Sequence, residues 1–210
     1  MRKEKKYQFG IIGYRESERV LGFQNALEDL GFDRAFVLDY RDVLRSDKMI
    51  HDFLQKCDIL KIESPDGPME IEKRIVKLGL NTEAEKYTEK EIEKFNNLYD
   101  NITESIDLFV SPDHWFYGFE SILKKINDII HDYGEILLMN HPLEITQMFD
   151  KVKTNELLKE SSISVPPIIP PFTTFENILE LMEDIKLYEI FIKPRYGSSG
   201  SGIIALHQLL

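Results

Sequence analysis

The chain has 210 residues, of which 42% are hydrophobic and 30% are charged, a balance typical of a globular protein with a sizeable core. Its 37 acidic and 26 basic residues give a formal net charge of −11, which argues against nonspecific nucleic-acid binding because that function requires a basic surface. The basic start, MRKEKKYQFGIIG, contains no long apolar run, so we expect a cytoplasmic protein without a signal peptide or a membrane span.

Strands alternate with helices through the first part of the chain. The segments YQFGIIG, AFVLDY and DILKIE predict strands, and a helical pattern follows each of them. The first helix is predicted to end at Gly31, the second to run through YRDVLRSDKMIHDFLQKC, and the third, MEIEKRIVKLG, to end at Gly79. This order predicts a parallel sheet with helices on both faces, in a Rossmann-like α/β domain that covers residues 1–139.

A charged segment interrupts this alternation at residues 83–106. Ile92, Phe95 and Leu98 lie about one turn apart there, which predicts a surface helix; an insertion and a protein-partner role are both open. A short β-like run is then predicted for DLFVS. An amphipathic helix is predicted for SPDHWFYGFESILKKINDIIHDYG, and another strand for EILLMN.

The pattern changes near residue 140, where we place a domain boundary. NHPLEITQMFDKVKTNELLKESS is helical with a break near Phe149–Asp150, and the two proline pairs of ISVPPIIPPF exclude a helix. Thr174 is predicted to cap the helix FENILELMEDIK. YEIFIKPRYG and SGIIALHQLL flank a glycine-rich run and predict a hairpin, so residues 140–210 form an α+β piece.

The glycine-rich run GSSGSG allows three interpretations. It can be a flexible linker, an ordinary glycine-rich hairpin turn, or a loop that covers a phosphate group. A linker needs a domain on each side, and only IIALHQLL follows Gly202. Three glycines allow the backbone to approach an anion, the serines add hydroxyl donors, and Lys193 precedes the loop. The run lacks the Walker pattern, and the early GIIG is not a Rossmann dinucleotide motif.

Two segments of the second part resemble the ATP-grasp superfamily. FDKVKTNELLKESSISVPPI is similar to that family's Asp-Lys helix with its Val-Pro strand, and IFIKPRYGSSGSGIIAL is similar to its Lys-Pro strand, glycine-rich loop and return strand. In the family both lysines meet nucleotide phosphates, and Lys151 and Lys193 match them. Lys153 is interpreted as a solvated helix residue. The residues that match the phosphate-binding loop are Gly197, Ser198, Ser199, Gly200, Ser201 and Gly202.

The resemblance implies a fold and a reaction. Residues 1–139 correspond to a pre-ATP-grasp domain and residues 140–210 to the first part of an ATP-grasp domain. A bacterial branch of ATP-grasp-like proteins is similar to this chain in three segments: RVLGFQNAL, LKIESPDGPMEIEKRIVKLG and LLMNHPLEITQMFDK. The implied function is ATP-dependent ligation of a small-molecule or peptide carboxylate to an amine through an acylphosphate. The family's Mg²⁺ ligands lie in a later half that this chain does not contain, so no metal ligand is assigned and the piece alone is expected to be inactive.

Several explanations for this missing half stay open. The chain can be truncated, completed by a second chain, or a degenerate protein that binds a partner without catalysis, as a scaffold module. Truncation is favoured because the edge of SGIIALHQLL would otherwise seek a partner strand. A response-regulator-like or flavodoxin-like domain would account for residues 1–139 but would leave the lysines and their loop unexplained.

Three residues of the first part are candidate substrate contacts. Glu63 and Ser64 follow a predicted parallel strand, and ligands of open α/β sheets bind at this end of the strands; a turn that needs Ser-Pro-Asp-Gly for its geometry is the alternative. Arg19 is the third candidate, with a surface ion pair to Glu16 or Glu18 as the other interpretation.

The remaining candidates have simple structural interpretations. His114 and Trp115 are expected to pack, with stacking or acid–base work as the alternative, and His141 to cap a helix or contact a hinge. Cys57 is the single cysteine and is expected to be a small buried hydrophobe. The five histidines show no metal spacing.

Overall fold

The computed structural model divides the chain into two compact units, Met1–Thr146 and Gln147–Leu210. The predicted run DLFVS falls almost entirely outside the part that the structure describes. The described residues are 7–65, 67–103, 111–169, 172–197 and 202–207.

A four-stranded parallel sheet forms the centre of the first unit. Its strands pair in the order β2-β1-β3-β4, and Ile11 of β1 lies opposite Val37 and Lys61. The chain runs from β1 to one side of the sheet and then to the other, so the strand order reverses beside β1. The predicted α/β class with a parallel sheet is confirmed. The strands are β1 (Phe9–Ile12), β2 (Phe36–Leu38), β3 (Ile59–Ile62) and β4 (Leu137–Leu138).

Helices connect the strands of this unit, and a short 3-10 turn, Ala84–Lys86, precedes the fifth of them. Hydroxyls of Ser17, Ser46 and Thr88 cap α1, α3 and α5 by accepting backbone amides. The helices are α1 (Glu18–Asp29), α2 (Tyr40–Val43), α3 (Asp47–Leu54), α4 (Met69–Thr82), α5 (Glu89–Asp100) and α6 (Pro112–His131).

Two helix predictions were wrong. The segment 40–57 forms α2 and α3 rather than one helix, because the side chain of Ser46 caps a new helix. Helix α4 does not end at Gly79 but continues to Thr82. Gly79 lies inside the helix because α6 packs directly against it, as its contact with the backbone of His114 shows.

Two hydrophobic clusters contribute to the core of the first unit. One cluster joins Ile11 to α1 through Val20 and Leu27. A second joins α4 to α5, where Val76 packs against Tyr99. The charged segment 83–106 is therefore attached to the body of the unit by a buried aromatic ring, although most of α5 is exposed.

The second unit combines helices with a two-stranded antiparallel sheet, in which Ile190 lies opposite Leu206. The predicted helix break at Phe149–Asp150 and the predicted hairpin are confirmed. Thr174 accepts the amide of Asn177 at 3.2 Å and caps its helix as predicted. The elements are α7 (Pro142–Phe149, which begins in the first unit), α8 (Lys151–Glu160), α9 (Phe175–Asp184), β5 (Glu189–Ile192) and β6 (Ile204–His207).

Candidate functional site

The break between α7 and α8 buries a carboxylate. The side chain of Asp150 is 1% exposed, and its Oδ1 accepts the amides of Val152 at 3.1 Å and Lys153 at 3.2 Å. Asp150 thereby caps α8. These amide donors are already used by a carboxylate, so an anion bound here would have to be held mainly by side-chain cations.

Asp150 also binds a guanidinium from the segment after β5. Arg195 donates from Nε to Oδ1 at 3.0 Å and from a terminal nitrogen to Oδ2 at 2.7 Å, which is the bidentate arrangement that arginine forms with carboxylates. Burial alone would raise the pKa of Asp150, but the hydrogen bonds and charge of Arg195, with the capping amides, lower it overall. Asp150 is therefore charged at neutral pH.

Backbone contacts join the same two segments. Asp150 and Tyr196 form an antiparallel bridge, and the amide of Lys151 donates to the carbonyl of Arg195 at 3.1 Å. The first residues of α8 are thus paired in register with the residues that lead into the glycine-rich run.

Lys151 points to the beginning of that run. Its Nζ donates to the carbonyl oxygen of Gly197 at 2.8 Å. Burial lowers the pKa of Lys151, and the positive charge of Lys193 lowers it further, while Asp150 opposes the change. The positive charges of the two lysines that the sequence singled out therefore disfavour each other.

Lys193 lies on the short segment between β5 and Arg195. Its side chain is exposed, and its Nζ is 5.9 Å from the centroid of the Phe191 ring. Gly197 has φ = +117° and Gly202 has φ = +71°, conformations that favour glycine over residues with a β-carbon. Of the predicted loop, Ser198, Ser199, Gly200 and Ser201 lie outside the described residues.

The predicted substrate residues lie in the first unit. Glu63 follows β3. Its amide donates to the carbonyl of Ile12 at 2.8 Å, and its own carbonyl accepts a hydrogen bond from the Tyr40 hydroxyl at 2.6 Å. Its carboxylate pairs with Lys61. Ser64 is half-buried beside it. Arg19 is exposed in the first turn of α1.

The other singled-out residues have structural roles. His114 is buried, with 3% of its surface exposed. Its Nδ1 is hydrogen-bonded to the Tyr99 hydroxyl, and its Nε2 to the Tyr87 hydroxyl at 2.9 Å. The indole nitrogen of Trp115 donates to the carboxylate of Glu72. His141 accepts the Leu143 amide at 3.3 Å and caps the start of α7. The thiol of Cys57 donates to the carbonyl of Phe53 at 3.1 Å.

Sequence reasoning missed Asp150 and Arg195 as members of the site. An aspartate immediately before a helical pattern is an N-cap signal, and the Lys-Pro-Arg run offered a second cation beside Lys193. Nothing local showed that the aspartate and the arginine would meet.

No metal centre is found among the described residues, which bring together no group of three or more histidine, cysteine, aspartate or glutamate side chains that could hold an ion. In the same ranges, none of the helices has the length and apolar character needed to cross a membrane.

The comparisons with known proteins give one structural likeness. No family model and no curated protein matches the chain. Among solved structures it is similar to one described as "Structure of ATP-grasp ligase PsnB complexed with minimal precursor", with a TM-score of 0.46 and 12% sequence identity over 97% of this chain. The chain spans 56% of the length of that ligase.

Proposed function

We propose that the second unit binds the phosphates of ATP, and that the chain is the ATP-binding part of an ATP-grasp ligase-like protein. The observation that carries the proposal is the contact between the Lys151 ammonium and the carbonyl of Gly197. The pKa of Lys151 is lowered by burial and by the charge of Lys193.

These residues suit a polyphosphate. The positive charge of Lys193 disfavours that of Lys151, and a bound anion would offset this repulsion. Gly197, with φ = +117°, supplies a backbone without a β-carbon beside the ammonium of Lys151, so a phosphate oxygen can approach closely. The capped start of α8 leaves most of the charge neutralisation to the two lysines.

The chemistry proposed for the parent protein is ligation. A carboxylate oxygen attacks the γ-phosphorus of ATP and ADP leaves; an amine then attacks the acyl carbon, and phosphate leaves. Lys151 and Lys193 would neutralise charge on the phosphates and hold the transferring group in place. Mg²⁺ would normally share this task, but the described residues offer no ligand set for it, so no step is assigned to a metal.

Glu63, Ser64 and Arg19 remain proposed substrate contacts. Glu63 follows β3 next to the place where the strand order reverses, which is where open parallel sheets bind ligands. Its carboxylate already pairs with Lys61, so a substrate amine would have to displace that lysine.

Calorimetric titration with ATP, with and without Mg²⁺, tests the proposed nucleotide site. We expect the unchanged chain to bind ATP and the Lys151→Ala, Lys193→Ala double variant to lose that binding. Lys153→Ala is the matched control, since this exposed lysine lies two residues from Lys151 on the same helix; it should bind like the unchanged chain.

Two outcomes would overturn the proposal. Equal binding by the double variant would place ATP elsewhere. Absence of binding by the unchanged chain would favour the alternative function, a non-catalytic module that binds a protein partner.

A further inference from the structure

We infer that Asp150 and Arg195 are positioning residues that hold Lys151 beside Gly197. The inference rests on the proposed function, in which Lys151 binds a phosphate. Neither residue would touch the nucleotide in this role. Their ion pair would fix the register between α8 and the segment after β5.

The two carboxylate oxygens of Asp150 have different tasks. Oδ1 accepts hydrogen bonds from the amides of Val152 and Lys153 and from Nε of Arg195. Oδ2 accepts one from the terminal nitrogen of Arg195 at 2.7 Å. A neutral oxygen is sufficient for an N-cap, as Thr174 shows on α9. The charge and the second oxygen therefore serve the arginine.

Arg195 contacts the start of α8 through both its side chain and its backbone. Its guanidinium binds Asp150, and its carbonyl accepts the amide of Lys151 at 3.1 Å. Gly197, which accepts from Lys151 Nζ at 2.8 Å, follows only two residues later. A slip of one residue between the segments would move Lys151 away from the start of the glycine-rich run.

A charge effect and a positioning effect predict opposite results for Asp150→Asn. Removing the negative charge that neighbours Lys151 should tighten ATP binding if charge alone matters. If the ion pair sets the position of Lys151, the same change should weaken binding, because a small misplacement of a binding group costs affinity. Asparagine is as good an N-cap as aspartate, so helix capping is preserved.

The experiment measures ATP affinity of Asp150→Asn and Arg195→Lys by calorimetry. Lysine keeps the charge of Arg195 but lacks the planar fork that binds both carboxylate oxygens. We expect each variant to bind ATP about tenfold more weakly than the unchanged chain. Arg34→Lys is the control, since Arg34 pairs with Glu28 in the first unit by donating from one terminal nitrogen to both carboxylate oxygens; its ATP affinity should not change.

A second readout does not depend on ATP. Hydrogen exchange followed by NMR reports the Lys151 amide, which donates to Arg195. We expect it to exchange about tenfold faster in Asp150→Asn, while the amides of α9 keep their protection.

The outcomes separate this inference from the proposed function. Unchanged or tighter ATP binding by both variants overturns the positioning role. If the unchanged chain binds no ATP, the proposed function fails. In that case, faster exchange of the Lys151 amide in Asp150→Asn would still support the positioning role. Unchanged exchange of that amide would overturn it. If circular dichroism shows that Asp150→Asn is unfolded, Arg195→Lys decides by the same two measurements.

Discussion

Gly79 of α4 and Gly118 of α6 face each other so closely that neither position has room for a β-carbon. A Cβ on Gly79 would lie 1.7 Å from the carbonyl oxygen of His114, and one on Gly118 would lie 1.9 Å from that of Ile75. The obstructing atoms belong to the backbone, so they cannot rotate aside as a flexible side chain would. The two helices therefore pack backbone to backbone.

Gly79→Ala should strongly destabilise the fold. The added methyl group would force α4 and α6 apart, and we expect a loss of about 3 kcal/mol or more in the free energy of unfolding, measured in urea. Gly22→Ala is the matched control, since Gly22 is an exposed glycine inside α1 with no atom within 4 Å of its Cβ position. That variant should gain up to about 1 kcal/mol, because alanine is the better helix former. Equal stability of the two variants would contradict the close helix contact.

His114 should make the folded state less stable in mild acid. Burial lowers the pKa of His114, and the charge of Asp113 offsets this only in part. The unfolded chain protonates the histidine near its ordinary pKa of 6.5, whereas the folded chain keeps it neutral to a lower pH. The unfolded state thus binds more protons as the pH falls below 6.5, so this contribution to stability is complete above that pH and is lost below it.

His114→Gln separates this effect from the other titrating groups. Glutamine donates and accepts hydrogen bonds without titrating, so the variant should lose about 1 to 2 kcal/mol of unfolding free energy at pH 8. Its stability should fall less between pH 8 and pH 5 than that of the unchanged chain. An equal fall in both proteins would show that His114 does not titrate on unfolding.

The sequence predicted the elements whose signals are local. Alternating strand and helix patterns predicted the parallel sheet. Local patterns also predicted the helix break before Lys151 and the hairpin around the glycine-rich run. Gly79 shows the limit of such signals. A glycine near the end of a helical pattern predicts a stop, but here contact with a second helix requires the glycine and the helix continues past it to Thr82.

The candidate site divides in the same way. Lys151 and Lys193 were found because each stands in a recognisable run of residues. Asp150 and Arg195 were not paired in advance, since 45 positions separate them in the chain and each has several charged neighbours that would serve equally well in a sequence pattern. They are brought together by the antiparallel bridge between Asp150 and Tyr196 and by the hydrogen bond from the Lys151 amide to the Arg195 carbonyl.

Gln24 should stabilise the edge of the parallel sheet. Its side chain is buried; the amide donates to the carbonyl of Ala35 at 2.9 Å, and its oxygen accepts the Ala35 amide at 2.7 Å. These bonds replace those of a neighbouring strand just before the edge strand β2. Gln24→Leu leaves both backbone groups without these partners and should cost about 1 to 3 kcal/mol in thermal or urea unfolding. Asn25→Leu, at an exposed position of the same helix, should change stability by less than about 0.5 kcal/mol; a similar loss in both variants would exclude this role.

Cys57 should be almost unreactive while the protein is folded. Burial raises the pKa of its thiol to about 12, and the negative charge of Asp58 adds to the effect. The thiolate is the reacting form. The fraction of Cys57 that is ionised to thiolate at pH 8 should therefore be about a thousandfold smaller than that of a free cysteine. Ellman's reagent should therefore label the folded chain very slowly and the chain in concentrated urea at the rate of a free thiol, with Cys57→Ser as the blank. Fast labelling of the folded chain would mean that the thiol is exposed and ionised, and that Cys57 is not the small buried hydrophobe that the sequence indicates.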